Sequence, residues 1–74
     1  MTKIIRGIET EGGKEVNIRY FFCCDRSTEG IDVYDSASGD YIGEMIGERF
    51  PDENDEESMN NITKKLDNFL NLVL

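Results

Sequence analysis

The chain contains no histidine, no tryptophan and only one proline among its 74 residues. Without an imidazole group, Ser–His and Cys–His catalytic pairs, histidine-ligated metals and histidine pH switches are excluded. Its apolar runs are far shorter than the roughly 18–20 residues that a membrane-spanning helix requires. A charged residue, Arg6, follows only two consecutive apolar residues near the N-terminus, so the sequence shows no signal-peptide core. We therefore expect a cytoplasmic protein.

Cations are scarce. Lys and Arg number 8 against 16 Asp and Glu, which gives a net charge of −8. Nucleic acids and anionic membrane surfaces are both bound through clusters of Lys and Arg. The composition therefore predicts neither direct nucleic-acid binding nor membrane binding, and it favours a partner with a basic surface.

The two cysteines, Cys23 and Cys24, are adjacent in the sequence. Neighbouring side chains on a strand point to opposite faces, and a disulfide between neighbours requires strained geometry. No C-x-x-C spacing is present. We expect two reduced thiols that serve as small hydrophobic residues.

Four segments are typical of β-strands, and the last third of the chain is typical of an amphipathic helix. Alternating apolar residues, β-branched bulk and intervening Gly-rich turns mark the strands. Apolar residues at steps of three and four mark the helix. The predicted strands span residues 3–9, 14–24, 31–35 and 41–46, and the predicted helix spans residues 55–73.

Two details of these elements are also predicted. Tyr34 and Tyr41 flank the turn of the second hairpin, so they should lie opposite one another, and Ile42 and Ile46 should share a face. Asn54, three residues before Glu57, has the spacing of a helix cap and its reciprocal partner.

The order of elements predicts an α+β fold in which a small antiparallel sheet of three to four strands carries one C-terminal helix on one face. We expect a single domain over residues 1–74. A three-stranded sheet with a frayed first strand is the alternative. Because a core of this size is marginal, either its packing is unusually efficient or a second subunit or a bound partner completes it.

The negative charge is concentrated in the middle of the chain. Residues 27–57 hold eleven acids and one base, whereas the segments before and after them each have a net charge of +1. We expect the second hairpin and the helix start to gather these acids on contiguous surface, with two tyrosines as amphipathic anchors. The candidate partner-binding residues are Asp32, Tyr34, Asp35, Asp40, Tyr41, Glu44, Asp52, Glu53, Asp55 and Glu56.

Catalytic and metal-binding motifs are not found. The acidic run at residues 52–57 has oxygen ligands at alternate positions, but a calcium loop beginning there needs Gly at its sixth position and Glu at its twelfth, where Glu57 and Thr63 stand. No Gly-rich loop leads from a strand into the helix, as a phosphate-binding loop requires. We therefore expect no enzyme activity, no metal site and no cofactor.

In length, acidity and lack of catalytic residues, the chain is similar to small inhibitor proteins of phages and mobile elements, including anti-CRISPR and other nucleic-acid-mimicking proteins. The likeness covers size and charge and includes no shared motif. It implies an inhibitor that presents carboxylates where its target expects phosphates. The function we expect is that of a non-enzymatic acidic module that docks on a basic protein surface.

The alternative hypothesis is a structural or assembly module. Leu70, Leu72, Val73 and Leu74 leave the last helical turn apolar. A homodimer formed through this turn or through an open sheet edge would bury exposed groups. The acidic residues would then serve only solubility.

Overall fold

A computed structural model describes residues 3–74 of the chain. Met1 and Thr2, which the predicted domain includes, lie outside the described residues. The elements are β1 (Ile4–Glu9), β2 (Glu15–Cys23), β3 (Thr28–Asp35), β4 (Tyr41–Ile46) and α1 (Glu56–Val73).

The four strands form one antiparallel sheet in the order β1-β2-β3-β4, and α1 follows it. The predicted α+β fold is confirmed. The first strand is a full member of the sheet, since Ile5 pairs with Ile18 and Ile8 pairs with Val16. The three-stranded alternative is therefore not adopted.

The core lies between α1 and one face of the sheet. Alternate residues of the strands supply one side of it, and every third or fourth residue of α1 supplies the other. Burying these side chains is the main favourable term in folding. The fully packed set is Ile5, Ile8, Val16, Ile18, Ile31, Val33, Ile62, Leu66 and Leu70, with Phe50, Met59 and Phe69 packed at its margin.

An irregularity in β4 changes which side chains face the core. The β3–β4 register shifts between Val33 and Tyr34, so one extra residue of β4 lies between the partners Gly43 and Tyr41. Ile42 packs against the core, whereas Ile46 is 52% exposed on the other face. The prediction that these two isoleucines share a face is wrong, because a bulge inverts the alternation.

The third strand begins at Thr28, three residues earlier than predicted. Gly30, which a sequence pattern assigns to a loop, is buried and pairs with both Phe21 and Ile46. A Cβ at this position would lie 2.5 Å from Cζ of Phe21. Glycine is required here because the Phe21 ring lies directly over the strand.

The N-cap of the helix lies one residue later than predicted. Asp55, in extended conformation, accepts a hydrogen bond from the Glu57 backbone N–H and is the N-cap. The Asn54 side chain does not take this role. Asp and Asn are equally favourable caps, so the sequence pattern alone does not choose between adjacent positions.

Within residues 3–74, no helix combines the length and the apolar character that crossing a bilayer requires.

Candidate interaction surfaces

The sheet face opposite α1, here called the helix-free face, has no element packed on it among residues 3–74. Its side chains fall into rows that run across the four strands, because the strands pair in register. The first row holds Ile4, Arg19, Asp32 and Glu44, and the second holds Asn17, Tyr34 and Tyr41. Antiparallel sheets often leave one face to solvent, but this face combines charged and aromatic side chains.

Two carboxylates lie side by side on the helix-free face. Asp32 of β3 is directly opposite Glu44 of β4, and like charges in this position destabilise a sheet. Partial burial raises the pKa of Asp32; the Arg19 guanidinium opposes this shift and Glu44 adds to it. Neither carboxylate belongs to an ion pair within the described chain. Arg19 and Arg26 act on these carboxylates only through longer-range attraction, Arg19 on Asp32 and Arg26 on Glu44.

Tyr34 and Tyr41 lie opposite one another, as predicted, with ring centroids 5.4 Å apart and planes at 64°. Tyr41 is 53% exposed. Burial raises the pKa of Tyr41, and the nearby charges of Asp32 and Glu44 raise it further. The phenol therefore stays protonated, and the nearby Asp32 carboxylate is an acceptor for its hydrogen bond.

Asp35 and Asp40 lie elsewhere, at the turn between β3 and β4. The Asp35 carboxylate accepts a hydrogen bond from Lys14 Nζ at 2.7 Å and another from the Ala37 backbone N–H at 2.8 Å. The hydrogen bond from Lys14 is the main cause of the lowered pKa of Asp35, and backbone N–H donors of the turn contribute. Asp35 therefore stabilises the turn through these hydrogen bonds, whereas Asp40 is exposed beside it.

The densest negative charge lies in the loop before α1 and in its first turn. Here called the acidic segment, it comprises Asp52, Glu53, Asn54, Asp55, Glu56 and Glu57, all of which are exposed. It follows the end of β4 that is remote from Asp40 and lies beside the first residues of β1. Neither ion pair of the described chain includes any of its carboxylates.

Hydrogen bonds fix the shape of the acidic segment. The Asp52 carboxylate accepts from the Asn54 backbone N–H at 3.0 Å, and the Asp55 carboxylate caps α1. The Asp52 backbone N–H donates to the Ser58 hydroxyl at 3.0 Å. Glu53, Glu56 and Glu57 make no hydrogen bond through their side chains within residues 3–74. Of the five acids of the segment, two therefore hold its shape and three make no side-chain hydrogen bond that supports the fold.

The ten candidate residues lie in three parts of the fold. Counting charges along the sequence does not reveal this distribution. Successive residues of a strand point to opposite faces of the sheet, and residues at the two ends of β4 lie apart. The helix-free face holds Asp32, Tyr34, Tyr41 and Glu44, the hairpin turn holds Asp35 and Asp40, and the acidic segment holds Asp52, Glu53, Asp55 and Glu56.

Sequence reasoning missed the cations that share the helix-free face. Arg6 and Arg19 line a shallow cleft there together with Asn17 and Tyr34. Neither arginine forms an ion pair in the described part of the chain. Side chains of β2 alternate between the two faces of the sheet. This alternation separates Asn17 and Arg19 from Val16 and places them together on the helix-free face.

A second cleft, of about 490 Å³, lies beside the start of α1. Tyr20 and Phe50 meet edge-to-face along it with ring centroids 6.4 Å apart. Lys3 lies 5.7 Å from the centroid of the Tyr20 ring, within the range of a cation–π contact. Its charged lining comprises Lys3, Glu29, Arg49, Asp52 and Lys65, and Lys65 is paired with Glu48 at 3.0 Å.

Both cysteines are free thiols. The sequence predicts that the two thiols are reduced and serve as small hydrophobic residues; Cys23 is half-buried, whereas Cys24 is exposed in the turn after β2 and does not contribute to the core. The Arg26 guanidinium donates a hydrogen bond to Sγ of Cys23 at 3.4 Å. This hydrogen bond is the main cause of the lowered pKa of Cys23. Cys23 is therefore the thiol with more thiolate character than an ordinary cysteine.

No group of three or more Cys, Asp or Glu side chains within residues 3–74 is arranged to hold a metal ion. Comparison of the chain with models of protein families, with curated proteins and with solved structures finds no match.

Proposed function

We propose that this protein is a non-enzymatic interaction module whose acidic segment docks on a basic surface of another protein. The module acts by occupying its partner, because the carboxylates of the acidic segment fill the partner's cationic groove. The target class is a protein whose groove normally binds phosphates, as expected for an inhibitor that mimics nucleic acid. Complementary charge would accelerate encounter with such a partner.

One observation carries this proposal: the acidic segment holds five exposed carboxylates that have no cation partner in the described chain, on a loop whose shape is fixed by hydrogen bonds. Crowding like charges raises the free energy of the folded state. The helix dipole offsets part of that cost for acids in the first turn. It does not account for Asp52 and Glu53, which precede the helix. A preordered loop loses little conformational entropy on binding.

The structure selects the substitutions that test docking. Asp52 and Asp55 support the loop and the helix cap, so their replacement would disturb folding. Glu53→Lys with Glu56→Lys removes the docking charge and keeps these hydrogen bonds. Glu11→Lys with Asp25→Lys, at exposed turn positions outside the segment, changes the net charge by the same amount and is the matched control.

Each variant is immobilised and exposed at low salt to lysate of the native host, and bound proteins are eluted with a salt gradient. We expect wild type and control to retain the same basic proteins, which elute as screening increases, whereas the double variant at positions 53 and 56 loses them. Added duplex DNA or RNA should compete for the same partner. Retention by the double variant equal to that of the wild type would refute docking through the acidic segment.

An assembly role is the second candidate, and exposed apolar residues at the end of α1 favour it. Leu72 is 85% exposed and lines a groove with Met45, Ile46 and Phe69 beside the open edge of β4. Monomeric proteins place large apolar patches on the surface mainly at interaction sites. Leu72→Asp should then convert a dimer into a monomer in analytical ultracentrifugation. A wild-type protein that is monomeric at all concentrations would eliminate this role.

A further inference from the structure

The helix-free face carries charges of both signs in a fixed order across the sheet. Arg19 on β2 and Asp32 on β3 occupy the two central positions of the first row. Arg6, on the β1 side, shares a cleft with Arg19, and Glu44 lies on the β4 side. The cations thus lie toward β1, and the carboxylates of these rows lie toward β4.

A two-fold axis parallel to the strands, placed between β2 and β3, reverses this order in a second copy stacked face to face. The order β1-β2-β3-β4 then lies over β4-β3-β2-β1 of the other copy. Arg19 of each copy faces Asp32 of the other, and Arg6 lies over the side that carries Tyr41 and Glu44. The surface is therefore complementary to itself, as an isologous dimer requires.

We propose that the helix-free face is a homodimer interface formed by a second copy of this chain in this arrangement. At the axis, Arg19 and Asp32 of the two copies form a ring of four alternating charges. This ring gives each Arg19 and each Asp32 an additional partner across the axis; within one chain the two residues lie opposite one another on β2 and β3 but form no ion pair among residues 3–74. Arg6 over the exposed Tyr41 ring adds a cation–π contact.

The composition of the face also suits an interface. Aromatic residues and Arg are enriched in protein interfaces, and this face exposes Ile4, Tyr41 and Ile46, with Phe21 half-buried over Gly30. Glu9 and Glu15, at the far end of β1 and β2, lie outside the two rows. Two sheets that pack face to face with aligned strands lie about 10 Å apart, and the side chains of their facing rows then come into contact.

The size of the face predicts a dimer that dissociates on dilution. Four strands spaced about 4.8 Å apart and six to nine residues long give a face of about 20 by 25 Å. Two copies would bury roughly 1,000 Å² in total, at the lower end of specific interfaces. The acidic segment lies outside the two rows and remains available for a basic partner, so the dimer does not depend on the docking proposal.

A charge-exchange experiment tests the arrangement. In the Arg19→Glu variant, the central positions of β2 and β3 are both acidic. In the Asp32→Arg variant, these two positions are both basic. Each variant alone should lose dimerisation, with the dimer dissociation constant rising at least about 100-fold because each repulsive pair occurs twice. Mixed in equal amounts, the two variants should form a 1:1 heterodimer, since every pair across the axis is then attractive.

Sedimentation velocity over a concentration series measures these states, and circular dichroism confirms that each variant is folded. Lys64→Glu and Glu11→Arg, both at exposed positions away from the face, reproduce the two changes of net charge and should dimerise as the wild type does. A wild type that stays monomeric up to millimolar concentration would overturn the proposal. So would variants that keep the wild-type dimer, or that fail to associate with one another when mixed.

Discussion

Replacing Leu66 with Ala tests whether α1 is held by the face that the structure assigns to it. Leu66 is fully buried between the helix and the sheet, at 0% exposure. Its truncation removes buried methyl and methylene groups and leaves a cavity, which costs about 2–5 kcal/mol. A 74-residue protein has a free energy of unfolding of roughly 4–11 kcal/mol. One substitution should therefore remove between about a fifth and all of the stability.

Leu72→Ala is the matched control, since it makes the same chemical change in the same helix at a position 85% exposed. We expect its effect to stay within about 0.5 kcal/mol at a protein concentration where the chain is monomeric. Urea unfolding followed by far-UV circular dichroism measures both. At a slope of about 1 kcal/mol per M, Leu66→Ala should lower the urea midpoint by at least about 2 M. Equal losses for the two variants would show that α1 packs through a different face.

Three further predictions follow from local contacts. Gly30→Ala should cost about 1–3 kcal/mol, because the added Cβ meets the Phe21 ring; a double-mutant cycle with Phe21→Ala should show coupling, and additive losses would argue against this contact. Arg26→Gln should slow the alkylation of Cys23 by iodoacetamide at neutral pH, resolved by mass spectrometry, since Arg26 lowers the pKa of that thiol; an unchanged rate would contradict this role. The lowered pKa of Asp35 means that its stabilising contribution is present above the unfolded-state pKa, about 3.9, and is lost as pH falls through the folded-state value. Asp35→Asn should therefore flatten the loss of stability in acid, and equal slopes for variant and wild type would exclude this contribution.

The regular elements were predictable because their signals are local. Alternation placed β2 and β4 within one residue of their observed bounds. The apolar stripe of α1 includes the buried residues Ile62, Leu66 and Leu70, but it also includes Val73, which is 47% exposed. Periodicity of this kind records which side of an element is buried. The sequence was sufficient for the fold class for this reason.

The exceptions have tertiary causes. Gly30 belongs to β3 because it pairs with Phe21 and Ile46, and Ile46 faces away from the core because Ile42, four residues earlier, is the extra residue of a bulge. Neither pairing is visible in the local sequence. The same limit applies to the candidate surfaces: a run of acids along the chain does not specify which carboxylates share a face once strands alternate and the hairpin has two ends.

The order of the sheet has a consequence for synthesis of the protein. Each strand pairs only with its neighbour in sequence, so the sheet can assemble hairpin by hairpin as the chain emerges, and contacts of this local kind favour rapid folding. The helix that covers Ile18, Ile31 and Val33 is made last. A nascent chain that has completed β4 therefore exposes an apolar sheet face until residues 62–70 leave the ribosome. This interval is when the protein is most exposed to aggregation.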